Sequence, residues 1–252
     1  MMPWAGEFAG KYLTSAVQVL RLTGDARLRG VIEAFVAELV ELQDDSGYLG
    51  PWPQGHHLTG TAPNKDGGIA TWDTWGHYHI TLGLLLWHED TGSEAALDCA
   101  RRIGDLLVDT FLGDVAQRMV DTGSTEMNLA PAHSLCLLHL LTGESRYLDL
   151  AVQIVDEFAA EDADGTHLAG DYLNTGVAAV EFFETPKPRW ESLHPIMALA
   201  ELHYITGDDK YREAFESHWW SIVKLDRHNN GGFSSGEQAQ GNPYHPGAIE
   251  TC

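Results

Sequence analysis

The residues with the clearest chemical potential lie near the end of the sequence. A glycine-rich stretch leads to Glu237, and Glu250-Thr251-Cys252 follows after twelve further residues. Carboxylate and thiolate are both ordinary zinc ligands, and a Glu and a Cys separated by one residue can reach the same ion. Two ligands do not complete a tetrahedral site, so a chance match stays open. Glu237 could equally be a solvated loop carboxylate, and Glu250 a first-turn carboxylate favoured by a helix dipole.

Tryptophan, histidine and further carboxylate residues collect in long segments rich in Gly and Pro, or just after them. The set comprises Trp52, His56, His57, Trp72, Asp73, Trp75, Trp190, Glu237 and Glu250. Aromatic rings stack on the C–H faces of sugars while polar groups bind hydroxyls, so this mixture favours a neutral, polyhydroxylated ligand. Core packing is the competing explanation for one of Trp72 and Trp75. Carbohydrate is therefore the predicted partner.

A four-residue Thr-Gly motif occurs four times and marks the turns that must position these residues. It occurs at Leu22-Thr23-Gly24-Asp25, Asp90-Thr91-Gly92-Ser93, Leu141-Thr142-Gly143-Glu144 and Ile205-Thr206-Gly207-Asp208. Glycine suits the left-handed residue that ends a helix, and a following Asp or Ser suits the cap of the next helix. Apolar residues recur every three or four positions on both sides of each motif. This periodicity predicts helices at roughly 5–22, 25–43, 72–90, 94–111, 126–141, 145–160, 191–205 and 209–225.

Eight helices in four pairs, with no comparable period-two segment between them, predict the all-α class and an α/α solenoid or closed toroid. Within a pair the connection is the short Thr-Gly turn, whereas the connections between pairs are long. If successive helices alternate in direction, every long connection emerges at the same end of the molecule. Long loops in compact domains are usually functional. We therefore expect the site at that end.

Composition excludes several classes of function. The chain of 252 residues carries a formal net charge of −22, which repels phosphate backbones and anionic lipid. No apolar run reaches the length of a membrane span. We therefore expect no nucleic-acid and no membrane partner. The first residues lack the basic and apolar regions of a secretion signal, so the expected location is the cytoplasm.

Three stretches of the chain together resemble one enzyme family. They are Gly6-Glu7-Phe8-Ala9-Gly10-Lys11-Tyr12-Leu13, Trp72-Asp73-Thr74-Trp75-Gly76-His77-Tyr78-His79, and Gly236-Glu237 with Glu250-Thr251-Cys252. They resemble the catalytic domain of the β-L-arabinofuranosidases, glycoside hydrolase family 127, and the resemblance spans residues 1–252. It implies an (α/α)6 toroid of twelve helices. The eight predicted helices would then be about four of six pairs, and the chain a truncated, partial toroid domain of a glycosidase.

The resemblance also implies a chemistry. Family members use a retaining mechanism in which a zinc-bound cysteine thiolate attacks the anomeric carbon and a glutamate protonates the leaving oxygen. Glu237 corresponds to that acid/base, and Glu250 and Cys252 to two of the zinc ligands. The nucleophile belongs to a cysteine pair that lies well downstream in the family. β-L-Arabinofuranose is the expected sugar.

The remaining site residues follow from their places on the predicted helices. His79 lies where the family has a sugar-binding histidine. Alternatively, it is a core histidine with a purely structural role. His194, at the start of the seventh helix, is a second candidate. Asn128 occupies the corresponding place on the fifth helix, where a histidine is expected. Trp72 and Trp75 are candidates to stack on the sugar.

Two other functions stay open at this stage. A truncated toroid exposes apolar helix faces at its seams, so the chain could be a catalytically silent module that binds carbohydrate or a protein partner, or that associates with itself. A sugar epimerase or a glycan lyase on a similar toroid would move the chemistry to His and Tyr. The Glu-Thr-Cys sequence disfavours this last possibility.

Overall fold

The computed structural model describes residues 2–233 and 236–244. Within these ranges the chain forms ten α-helices and one antiparallel hairpin of two strands. The helices are α1 (Glu7–Thr23), α2 (Ala26–Leu42), α3 (Asp73–Thr91), α4 (Glu94–Phe111), α5 (Thr125–Asn128), α6 (Pro131–Thr142), α7 (Ser145–Asp156), α8 (Tyr172–Val177), α9 (Leu193–Thr206) and α10 (Asp209–Leu225). The strands are β1 (Thr61–Asn64) and β2 (Gly67–Ala70). The predicted all-α class is confirmed.

The eight long helices form two layers. Helices α1, α3, α6 and α9 pack side by side in chain order and make an inner row, and α4, α7 and α10 each pack against the inner helix that precedes them. The N-terminal parts of α3 and α6 are buried on nearly every side, as expected of helices enclosed by an outer layer, whereas α9 has exposed residues such as Met197 and Tyr204. In the part of the chain that the structure describes, no helix has the length and apolarity to cross a membrane.

The four Thr-Gly turns have the predicted geometry. Gly24, Gly92, Gly143 and Gly207 all have left-handed φ between 63° and 74°. The next helix is capped by the side chain of Asp25, Ser93 or Asp208 in three of the turns. Three of the turns have a further contact that we did not predict. In each, a histidine lies four residues before the glycine, and its Nδ1 contacts the carbonyl of the residue after the glycine.

The structure differs from the predicted arrangement in three places. The helix predicted at 126–141 is interrupted, because Pro131 has no amide hydrogen and begins a new helix, α6, after the short helix α5. The helix predicted to end at 160 ends at Asp156 and continues as a single 3₁₀ turn. The link between α2 and α3 contains the β1–β2 hairpin, which period-two reasoning missed because each strand has only four residues.

The long link between α2 and α3 is fastened by the buried carboxylate of Asp73. This carboxylate accepts hydrogen bonds from the Tyr48 hydroxyl at 3.1 Å and from the backbone N–H of Leu58 at 2.9 Å. His77, one turn later, accepts the Leu49 N–H on Nε2 at 3.0 Å and donates from Nδ1 to the Asp73 carbonyl at 2.8 Å. The start of α3 is thereby fixed relative to the loop, which positions the side chains that follow.

Candidate functional site

A cavity of about 650 Å³ lies at the N-terminal ends of the inner helices α1, α3 and α9. Its walls combine aromatic, histidine and carboxylate side chains with one lysine. The lining residues are Trp4, Glu7, Phe8, Lys11, Thr14, Ser15, Trp72, Trp75, His79, Leu82, Trp190, Glu191, Leu193, His194 and Glu237. The long links before α3 and α9 supply Trp72 and Trp190, so the cavity lies at the end where these links emerge.

Five of the residues singled out from the sequence meet in this cavity: Trp72, Trp75, His79, His194 and Glu237. The Trp75 ring makes edge contacts with His79 and His194, at centroid distances of 4.3 and 4.8 Å. The rings of His79 and His194 are 5.2 Å apart. A flat indole beside two imidazoles is an arrangement that can contact both the C–H face and the hydroxyls of a sugar.

Trp75 is almost completely buried, and α1 holds it in place. Its indole N–H donates to a carboxylate oxygen of Glu7, and the Lys11 ammonium lies 5.3 Å from the centre of the ring. Lys11 also pairs with Glu7 at 3.3 Å, so the charges of the two α1 residues compensate each other next to the indole. Glu7 and Lys11 therefore belong to the cavity wall, although neither was identified from the sequence as a site residue.

Glu237 is held at the cavity by Arg189. The Arg189 guanidinium donates to a Glu237 carboxylate oxygen at 2.6 Å, makes two further hydrogen bonds to Glu191, and lies over the Trp72 ring at 5.7 Å. The Glu237 carbonyl accepts the Trp190 N–H at 3.1 Å. Glu237 itself has φ of 61°, a left-handed conformation that is uncommon outside glycine. The loop contacts thus hold this carboxyl group at the cavity, with a side chain that is half exposed.

Two buried residues behind the cavity were missed by the sequence reasoning, Tyr78 and His133. The Tyr78 hydroxyl lies 3.0 Å from Nδ1 of His133 and 2.9 Å from Nδ1 of His194. We call His79, His133 and His194 the histidine cluster. One sequence pattern could have identified His133: it is a histidine in a helix whose residues are apolar on every side.

Burial sets the charge of these groups. Desolvation lowers the pKa of His79 to about 2, with smaller contributions from His194 and Lys11. It also lowers the pKa of His133 and of His194 to about 4. The phenol of Tyr78 is shifted the other way, because desolvation holds its pKa well above the usual range. At neutral pH the three imidazoles of the histidine cluster and the phenol of Tyr78 are therefore uncharged.

Other residues singled out from the sequence lie elsewhere. Asn128 is buried, and its amide donates to the carbonyls of Thr71 at 3.0 Å and Gly123 at 2.9 Å; it is not among the lining residues, and its contact with a sugar stays a prediction. Trp52 and His57 belong to the link between α2 and α3 and line a separate hollow beside α2.

The predicted metal ligands Glu250 and Cys252 lie outside the described residues. Within residues 2–233 and 236–244, no group of three or more His, Cys, Asp or Glu side chains is arranged to hold a metal ion. Cys99 and Cys136 are buried free thiols, and burial raises their pKa to about 11 and about 12, which disfavours the thiolate that zinc requires.

Comparisons with known proteins agree with this geometry. The family model described as β-L-arabinofuranosidase, GH127 catalytic domain, matches residues 1–252. A non-reducing end β-L-arabinofuranosidase from Bifidobacterium longum is 23% identical over 185 residues, which are 71% of this chain and 28% of the relative. The chain thus spans less than a third of the length of that curated relative.

Solved structures show the same fold. A family 127 β-L-arabinofuranosidase from Geobacillus stearothermophilus superposes with a TM-score of 0.64 at 16% identity, over 91% of this chain and 37% of that one. A family 76 α-mannanase from Bacteroides thetaiotaomicron gives a TM-score of 0.55 at 14% identity, over 93% and 62% of the two chains. The inner and outer helices are those of an α/α toroid. With the family model matching from the first residue to the last, the chain belongs to the catalytic-domain family of glycoside hydrolase family 127.

Proposed function

We propose that this chain is the catalytic-domain portion of a retaining glycosidase that releases terminal β-L-arabinofuranose. The observation that carries the proposal is the family match over residues 1–252, combined with a cavity in which indole, imidazole and carboxyl groups face one space. The fold alone does not decide the substrate, because it also occurs in a mannanase.

Each part of the cavity has a role in this proposal. Trp72 and Trp75 contact the apolar face of the sugar, and His79 and His194 form hydrogen bonds with its hydroxyls. Glu237 donates a proton to the glycosidic oxygen as the bond from the anomeric carbon to that oxygen breaks. The support for Glu237 is its place at the cavity, fixed by Arg189 at 2.6 Å.

The covalent half of the proposal rests on the family resemblance. A cysteine thiolate forms a sulfur–carbon bond at the anomeric carbon while the leaving oxygen takes the proton from Glu237, and water activated by Glu237 later replaces the sulfur. Zinc would hold that cysteine as a thiolate. Glu250 and Cys252 are two of its ligands in this proposal.

Hydrolysis of p-nitrophenyl β-L-arabinofuranoside tests the reaction, with the α-anomer as control substrate, in a full-length form of the protein that includes the downstream cysteine pair implied by the resemblance. We expect release from the β-anomer and its loss in Glu237→Gln. Glu38→Gln, a change of the same kind on the exposed side of α2, should keep full activity. Full activity of Glu237→Gln would overturn the acid/base assignment. Inactivity of the wild type, with retained arabinose binding, would favour the silent carbohydrate-binding alternative.

The metal is tested separately by elemental analysis of the same full-length form, because Glu250 and Cys252 alone do not complete a tetrahedral site. We expect zinc that copurifies with the wild type and is lost in Cys252→Ser, since removing a thiolate ligand weakens a tetrahedral site. Cys136→Ser, which changes a buried thiol away from the cavity, is the matched control. Equal zinc content in wild type and Cys252→Ser would contradict the proposed ligand.

A further inference from the structure

One hydroxyl group connects two rings of the histidine cluster. Tyr78 is on α3, His133 on α6 and His194 on α9, and the Tyr78 oxygen lies within 3.0 Å of Nδ1 of each histidine. All three side chains are largely buried. The inner helices α3, α6 and α9 are therefore joined at a single atom.

The number of hydrogens available around the Tyr78 oxygen limits which tautomers the two histidines can adopt together. A neutral imidazole carries one ring hydrogen, on Nδ1 or on Nε2, and a phenol carries one hydrogen and accepts through its lone pairs. If both histidines had bare Nδ1 atoms, the single phenolic hydrogen could satisfy only one of them. If both carried hydrogen on Nδ1, the phenolic hydrogen would have no partner among these atoms, and such buried unpaired groups are costly.

The geometry points to a coupled tautomer pair: we propose that Tyr78 forces His133 and His194 to carry their ring hydrogens on opposite nitrogens. In one state His133 donates from Nδ1 to the Tyr78 oxygen, Tyr78 donates to Nδ1 of His194, and His194 carries its hydrogen on Nε2. In the other state each of these positions is reversed. Tyr78 and His133 are thus positioning residues that act through His194.

The consequence for the ligand rests on the proposed function. His194 lines the cavity, and with Nδ1 occupied by Tyr78 its remaining polar atom is Nε2. This atom is a donor to a sugar hydroxyl in the first state and an acceptor in the second. The buried ring of His133 therefore helps to decide which hydrogen-bond pattern the cavity offers, although His133 is not among the lining residues.

The test is nitrogen-15 NMR of the histidine rings in the intact chain, because protonated and bare ring nitrogens have well-separated shifts. Two histidines serve as internal references. His77 must carry hydrogen on Nδ1, since its Nε2 accepts the Leu49 N–H, and His218 must carry it on Nε2, which contacts the Tyr172 carbonyl at 2.7 Å. Single substitutions to glutamine assign the signals.

We expect the fractions of hydrogen on Nδ1 of His133 and of His194 to sum to about one, because one buried hydrogen bond makes the two opposite-tautomer states about tenfold more populated than the states with the same tautomer in both rings. The same tautomer in both rings would overturn the proposal. This wild-type spectrum decides the question even if a variant fails to fold. It is also independent of catalysis, so inactivity toward arabinofuranosides would leave it standing.

Variants then test the coupling through Tyr78. His133→Leu should shift the tautomer ratio of His194 by about threefold or more, because the partner that fixed the hydroxyl is gone. His133→Asn should preserve the ratio, since its amide can take the place of Nδ1. In a Tyr78→Phe background, His133→Leu should leave His194 unchanged. An equal shift with and without the hydroxyl would show that packing, not the hydrogen bond, couples the rings.

Discussion

The close packing of α1 on α3 can be tested by adding one methyl group at the contact, in Gly10→Ala. A Cβ built at Gly10 of α1 lies 2.1 Å from the carbonyl carbon of His79 and 2.2 Å from the amide nitrogen of Ile80, both in α3. Favourable contacts between carbon atoms need about 3.5–4.0 Å. The atoms met are backbone and cannot rotate away, so α1 must move outward by more than about 1 Å.

The expected magnitude is the difference between two opposing effects. Alanine stabilises a helix interior by about 0.8–1.0 kcal/mol relative to glycine when nothing hinders the methyl group. Overpacking costs about 1–3 kcal/mol and occasionally more, and a contact with backbone belongs at the upper end. We therefore expect the free energy of unfolding of Gly10→Ala to fall by about 2 kcal/mol.

Gly30→Ala in α2 is the matched control, because a Cβ at Gly30 meets no atom within 4 Å. Its free energy of unfolding should rise by about 0.8 kcal/mol, so the same substitution has opposite signs at the two positions. Urea unfolding followed by far-ultraviolet circular dichroism measures both changes. A Gly10→Ala variant as stable as wild type would refute the close packing of α1 on α3 and, with it, the placement of His79 against α1.

Three further predictions concern charge and capping. Burial lowers the pKa of each ring of the histidine cluster below its value in the unfolded chain, so the unfolded chain takes up protons first as pH falls. The free energy of unfolding should therefore be full above about pH 6.5 and decline toward pH 4, by up to about 1.4 kcal/mol per pH unit per ring. In urea titrations, His133→Asn should reduce this slope. Asp25→Ala should cost about 1 kcal/mol in thermal unfolding, since its side chain accepts the Leu28 N–H at 2.9 Å; no loss would contradict the cap. Arg189→Gln should lower kcat/KM for β-L-arabinofuranosides by about tenfold by releasing Glu237, and an unchanged value would show that the ion pair does not position this carboxyl.

The paired helices could be predicted because their signals are local. At Gly92, a left-handed residue ends α3 and the next side chain caps α4, so a few consecutive residues specify the turn. Trp72, Trp75 and His79 could be placed together for the same reason, since they follow one another at the start of a single helix. The resemblance to family 127 used these same stretches, and the comparisons confirm it.

The interrupted helix shows the limit of periodicity. The residues of α5 and α6 continue one apolar pattern, and the two helices are separated at Leu129 and Ala130, directly before the proline that begins α6. The missing hydrogen-bond donor could have been weighed from the sequence, because proline is tolerated in the first turn of a helix and not in its interior. The hairpin β1–β2 had no such signal, since its strands are short and mostly exposed.

The histidine cluster could not be predicted from spacing, because its contacts join residues far apart in the chain. Tyr78 is 55 residues from His133 and 116 from His194, and only the side-by-side packing of α3, α6 and α9 brings them together. The N-terminal halves of α3 and α6 are almost completely buried, so a polar side chain there must find a partner on a neighbouring element or face the cavity. The histidines at the C-terminal ends of these helices instead contact the Thr-Gly turns. A histidine or tyrosine among apolar residues in the N-terminal half of an inner helix is therefore a better guide to this cavity than the distance of that residue from a conspicuous motif.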